Sequence, residues 1–398
     1  MSYNNRTLFD VYFKKYGGRL EIERFSKDYV LGYPYIRPRK KINNFLKKIE
    51  VLPEFEFLKD NLLFDYIFNE KSDGISIIAD NYYLFGVTFG FVDTIQYAIN
   101  SLFRCPDFFP EIGNSSKEDL SLEKLNSNIF KIDALKYQEE ENISYHFKGF
   151  HPPKDINRVI AARIISEYAT SIILVHELSH IICGHLDLED SMHKKVEFNE
   201  RNILFKEDYT LEFDADFMSF QILLLGNILF EEYLPEDYLK EKQAAKRSLN
   251  YDYYSSELEL QKYFSIATSL VFLLVSQTAE NYYTWNKSNH PHPMCRIFAL
   301  NQLVERMSDS EDISQMDSDF YDRWIRNCFR TIGFWGNAHL PGYEMILKMD
   351  GAEIVKLDES VHKILYWINH DAKSPKHQIE KTEMRKVAQS IFEYLMGC

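Results

Sequence analysis

Paired cysteines, long apolar runs and a net positive charge are all missing from this 398-residue chain. The five cysteines, at 105, 183, 295, 328 and 398, are odd in number and form no C-x-x-C pair. That excludes a disulfide scaffold and points to a reducing cytoplasm. The longest apolar runs, at 171–175, 221–225 and 269–275, fall far short of the roughly 20 residues that cross a bilayer, so no membrane span is expected. Residues 1–15 hold no apolar stretch and include Asp10, so no secretory signal is expected there. Lys and Arg total 46 against 60 for Asp and Glu, a formal charge of −14. A protein that coats nucleic acid or anionic lipid needs the opposite balance, which makes nucleic acid an unlikely partner overall. No repeat or low-complexity segment is visible.

What is present is the material of a folded protein: 45% hydrophobic and 27% charged residues, in a chain long enough for two or three domains. Polar breaks fall at 111–128, at 138–157 with Pro152 and Pro153, and at 308–319. Runs of Ile, Tyr, Phe and Val predict strands at 75–79 and 82–88. The middle of the chain reads as helical. Asp155 can cap a long helix that runs to Cys183, with Gly184 as its stop signal. Further helices are expected at 211–225, 257–280 and 293–307, and again from Tyr321 onward, where Pro341-Gly342 and Asp350-Gly351 interrupt. The expected fold is therefore mainly α with a small β-sheet (α+β). A mainly helical region 1–74 precedes a core at 75–305, and a helical region 306–398 follows it. The basic stretch Arg37-Pro38-Arg39-Lys40-Lys41, with Lys47-Lys48, reads as a helix start whose lysines face water, in preference to a phosphate contact.

The informative segment is His176-Glu177-Leu178-Ser179-His180. At 100° per residue the two histidines lie about 40° apart on one helix face, and Glu177 sits about 60° from His180. Two imidazoles one turn apart can grip one Zn²⁺, while the carboxylate between them reaches a water without ligating the ion. Composition alone gives roughly 0.03 such pentapeptides in a chain of this size, so chance is a poor explanation. Val175, Leu178, Ile181 and Ile182 surround it with apolar side chains, which makes uncompensated polar groups costly there.

A zinc site of this kind takes a third protein ligand. The extended motif H-E-x-x-H-x-x-G-x-x-H fails, because 183 is Cys and 186 is Leu. His185 is near, but on a continuing helix it points about 140° from His180. Leu211-Glu212-Phe213-Asp214-Ala215-Asp216 supplies carboxylates on a later helix, with Glu212 and Asp216 on one face. Glu212 would be the third ligand, and Asp216 would accept a hydrogen bond from the outer nitrogen of a ligating histidine. Asp214 competes with Glu212 as ligand. Cys183 and Cys295, which flank the key segments, read as small apolar filler.

The paired motifs His176-Glu-Leu-Ser-His180 and Glu212-Phe-Asp-Ala-Asp216 resemble those of gluzincin metallopeptidases of the heat-shock protease and CAAX-prenyl protease family. His290-Pro291-His292-Pro293-Met294-Cys295-Arg296-Ile297 is similar to that family's H-P-x-x-x-R-I element, and the likeness covers about 75–305. The strand at 82–88 leading to Gly90 resembles the family's substrate-side strand. Gly184-His185 is similar to the bacterial phage-exclusion protease that cleaves an elongation factor. The resemblance implies a zincin-like core with zinc helices at about 155–184 and 208–225. It also implies His176, His180 and Glu212 as metal ligands, Glu177 as catalytic base, and Asp216 behind a ligand.

The function expected from this reading is a cytoplasmic, zinc-dependent peptidase, regulated in bacterial stress or phage defence. Its partners would be a protein or peptide substrate and a regulatory protein. His290 is the first candidate for steadying the oxyanion, with His292, Tyr251, Tyr253, Tyr254, Tyr282 and Tyr283 as others. Arg296 is expected to pair with a buried carboxylate. The alternative is a non-catalytic interaction or sensor protein with a structural zinc on the same helix pair, closed by His185 or Cys295 as fourth ligand.

Overall fold

The computed structural model describes residues 3–22, 29–70, 73–121, 152–187, 201–225, 257–275, 296–304 (except 298 and 302), 320–337 and 383–396. In order these form α1 (Tyr3–Phe13), α2 (Tyr29–Ile49), α3 (Glu56–Lys59), β1 (Leu62–Ile67), β2 (Gly74–Ala79) and β3 (Tyr82–Thr88). There follow α4 (Phe89–Phe103), α5 (Ile156–Ile182), α6 (Arg201–Leu225), α7 (Glu257–Val275), α8 (Phe320–Asn337) and α9 (Glu383–Met396). The fold is mainly helical with a small sheet, as expected. The described residues of 296–304 are helical too. The last residues of the helix expected at 257–280, both ends of the one expected at 293–307, and both tail interruptions lie outside the described residues.

The sheet has the order β1-β3-β2, with β1 parallel and β2 antiparallel to β3. Pairing of Ala79 with Tyr82 leaves a two-residue turn, and Asp80 takes φ 54° there, as a tight hairpin of this length demands. The two strands read from sequence are β2 and β3; β1, a third strand, was not foreseen. The boundary expected after residue 74 falls inside β2, and β1 shares its sheet, so the first region and the core are not separate there. One apolar cluster runs from Leu20 to Ile391.

The axis of this core is α5. Asp155 caps it by accepting from the Asn157 amide, and Gly184, at φ 78°, turns the chain after its last residues. The helix packs against α2, α4, α6, α7 and the sheet. Its best 18-residue window reaches a mean hydropathy of 1.4, enough by length and composition to cross a membrane, yet 83% of that window is buried inside the protein. A helix apolar on all faces is what a position enclosed by neighbours requires. Its hydroxyls are satisfied internally: Ser166, Thr170, Ser171 and Ser179 each donate to the carbonyl four residues back.

Two buried charge systems lock α5 in place. Arg158 is fully buried and donates to the carbonyls of Phe103, Cys105, Phe108, Phe109 and Ile112 at 2.7–3.1 Å, closing the end of α4 and the turn after it. Glu167 receives Lys41 at 2.6 Å and Arg37 at 3.5 Å, while Arg39 reaches the buried Asp65 of β1 at 2.9 Å. The basic stretch of α2 is thus only partly solvated. Lys40, Lys47 and Lys48 face water, but Arg37, Arg39 and Lys41 turn inward, because buried carboxylates on β1 and α5 need counter-charges.

Candidate metal centre

Where α5 crosses α6, the side chains of His176, His180 and Glu212 meet. Nε2 of His176 and Nε2 of His180 are 3.1 Å apart, and the two Glu212 oxygens stand 3.4 Å and 3.5 Å from them, respectively. Four donors placed tetrahedrally 2.0–2.1 Å from one zinc ion are separated by about 3.3 Å, close to the spacing of the two nitrogens from each other and of each from its nearer Glu212 oxygen. The donor set, two imidazoles and a carboxylate, is of a kind that suits zinc. Among the described residues no fourth His, Cys, Asp or Glu joins this group.

Helix pitch decides which carboxylate faces the histidines. Glu212 and Asp214 lie about 160° apart around α6, so only one can point at α5 from a given face. Glu212 does, and Asp216, one turn on, shares that face. Asp216 Oδ1 lies 3.0 Å from His176 Nδ1, the nitrogen on the far side of the ring from Glu212. Arg296 holds Asp216 in a two-pronged pair at 2.7 Å and 2.6 Å, with its guanidinium over the Phe272 ring. The expected pairing of Arg296 with a buried carboxylate is therefore present. Trp324 of α8 donates to Asn301 at 2.7 Å, and its ring packs on Phe220 of α6 and Phe264 of α7, which fixes the Arg296 segment against both helices.

Glu177, beside His176, reaches the first residues of β2. A Cβ added to Gly74 would lie 2.4 Å from its Oε1, and Ser76 hydrogen-bonds to it. Burial pushes the Glu177 carboxyl up to about 7, which the neighbouring His176 opposes and Glu212 reinforces. For His176, burial disfavours the charged ring, but Asp216 and Glu212 outweigh it and raise the imidazole to about 10. Burial, and then the charge on His176, hold His180 well below its ordinary value. Without a metal the pair therefore favours a single positive charge, on His176, and an incoming cation must displace the extra ring proton.

His185 departs from its expected direction. The helix stops at Ile182, and the Gly184 turn swings His185 back until its Nδ1 lies 3.0 Å from His180 Nδ1. It stands behind His180, away from Nε2, and so does not close the donor set. Asp214 pairs with His185 Nε2 at 3.1 Å. Cys183, His185 and Asp214 form a second group whose ligand atoms all lie within 4.8 Å of one another. The contribution of Gly74 and Ser76 was not foreseen from sequence; nothing in a strand pattern marks which residue will face a helix 100 positions away. His290, His292, Cys295 and the five candidate tyrosines lie outside the described residues. Comparison of the chain with protein-family models, curated proteins and solved structures gives no match.

Proposed function

We propose that this chain is a zinc-dependent metallopeptidase of gluzincin type. The observation that carries the reading is the meeting of two imidazole nitrogens and one carboxylate at tetrahedral spacing, with the Glu177 carboxylate beside that group and not part of it. His176, His180 and Glu212 would hold the ion, and Asp216 would fix His176 with Nε2 facing inward. When bound, zinc supplies the Lewis acidity that makes water a nucleophile near neutral pH and polarises the carbonyl it attacks. Glu177 takes the proton from that water at its carboxylate and returns it to the departing amine. Arg296 pairs with Asp216 and stands 3.6 Å from Glu212, so one guanidinium serves as counter-charge to both acidic side chains of α6.

The substrate would be a protein or peptide. An extended chain could add to β2, which lies beside Glu177 and, among the described residues, at the edge of the sheet with one side unpaired. A cytoplasmic setting agrees with the free thiols of Cys105, Cys183 and Cys328, while a regulated role in bacterial stress or phage defence rests on the motif resemblance alone. The test compares new protein N-termini in lysate treated with the native chain and with Glu177→Gln. New termini made by the native chain alone support the reading. Identical sets from both remove Glu177 as base.

A further inference from the structure

We propose that His185 and Asp214 act as a relay that sets the tautomer and orientation of His180, as positioning residues for the metal. The proposal deepens the metallopeptidase reading and rests on it for the identity of the ligands. His176 and His180 both need the ring nitrogen facing the metal to be bare, which places the proton on the opposite nitrogen, Nδ1. For His176 that Nδ1 meets Asp216. For His180 it meets a second imidazole, His185, at 3.0 Å. An N–H there requires an acceptor, so His185 must accept at Nδ1 and carry its own proton on Nε2. That Nε2 faces Asp214 at 3.1 Å, and the carboxylate accepts it. Each link fixes the next, and the chain ends in a charge that favours donation toward it.

The two ligands thus have unlike supports drawn from one helix: Asp216 touches His176 directly, while Asp214, two residues earlier and on the other flank of α6, reaches His180 through His185. His185 is fully buried, and the left-handed turn at Gly184 is what returns it to the ligand. The competing use of the same residues is a second metal site made of Cys183, His185 and Asp214. It conflicts with the first site. A cation on His185 Nε2 would leave the proton on His185 Nδ1, aimed at a His180 Nδ1 that also carries one, across 3.0 Å.

The test is the zinc dissociation constant, measured by competition with a chromophoric chelator, for the full chain and for His185→Leu, His185→Gln and Asp214→Asn. Leucine removes the acceptor, and affinity should fall by roughly 10- to 100-fold. Glutamine offers a side-chain oxygen to His180 Nδ1–H and should recover most of that loss, which a purely structural role of the imidazole would not produce. Asp214→Asn should weaken zinc several-fold, and it carries the test if His185→Leu does not fold. Equal affinity in the parent and in Asp214→Asn overturns the relay while leaving the metal site intact. So does a second equivalent of zinc that Cys183→Ser abolishes. A parent chain that takes up no zinc removes the metallopeptidase reading itself.

Discussion

Gly74 and Glu177 are so close that a single methyl group on the glycine would fall 2.4 Å from the carboxylate Oε1. The neighbour it meets is the free end of a flexible side chain, which can rotate away at little cost to the fold. Its position is another matter if Glu177 is the base. Gly74→Ala should keep the unfolding midpoint and the zinc content of the parent but lower peptidase kcat by about 10- to 100-fold. A variant as active as the parent would show that Glu177 does not need the place it occupies.

Arg296 and Asp216 form a buried pair behind the candidate ligands His176 and Glu212. Removing one partner strands the other, so Arg296→Met should cost about 3–5 kcal/mol in urea unfolding. The double variant Arg296→Met/Asp216→Asn should regain much of that stability but not the zinc affinity, since His176 has lost its charged acceptor. Recovery of both would assign the pair to the fold alone.

Arg158 donates to five main-chain carbonyls without leaving the protein interior. Lysine has three N–H groups in place of five and no planar fork. Arg158→Lys should therefore lose on the order of 2–4 kcal/mol through unsatisfied buried carbonyls, measured by the same denaturation. A loss below about 0.5 kcal/mol would mean that water or backbone movement replaces those bonds.

Asp93 on α4 makes one contribution of definite sign to the pH dependence. Burial lifts its carboxyl to about 7, against which the Tyr35 hydroxyl acts only in part. The folded chain then holds a proton that the unfolded chain releases near pH 4, so this group's contribution to stability falls as pH rises from about 4 to about 7. Asp93→Asn should remove that slope and be more stable than the parent at pH 8 by on the order of a few kcal/mol. Parallel stability curves for the two chains would contradict the assignment.

The meeting of the two histidines was legible because a helix repeats its faces: His176, Glu177 and His180 declare their geometry within five residues. Glu212 was legible as a candidate, and helix pitch alone could have ranked it above Asp214, which lies on the opposite flank of α6. His185 was misdirected because its angle was projected along a helix that Gly184 had already ended; the glycine that marked the stop also made the turn. The inward basic residues of α2 were not legible. A lysine facing water and one facing Glu167 look alike in sequence, and only the packing of α2 on α5 distinguishes them. The hairpin β2–β3 showed itself by β-branched and aromatic runs about a tight turn, whereas β1 gave no comparable signal around Asp65, whose partners are distant in the chain.

X-ray absorption at the zinc edge of the reconstituted full chain tests the central claim most directly. The account predicts one zinc per chain whose shell contains two imidazoles and a carboxylate, with nitrogen and oxygen at about 2.0–2.1 Å and no sulfur. A sulfur scatterer at about 2.3 Å, which would place the ion on a cysteine such as Cys183 or Cys295, or a chain that binds no zinc at all, would contradict it.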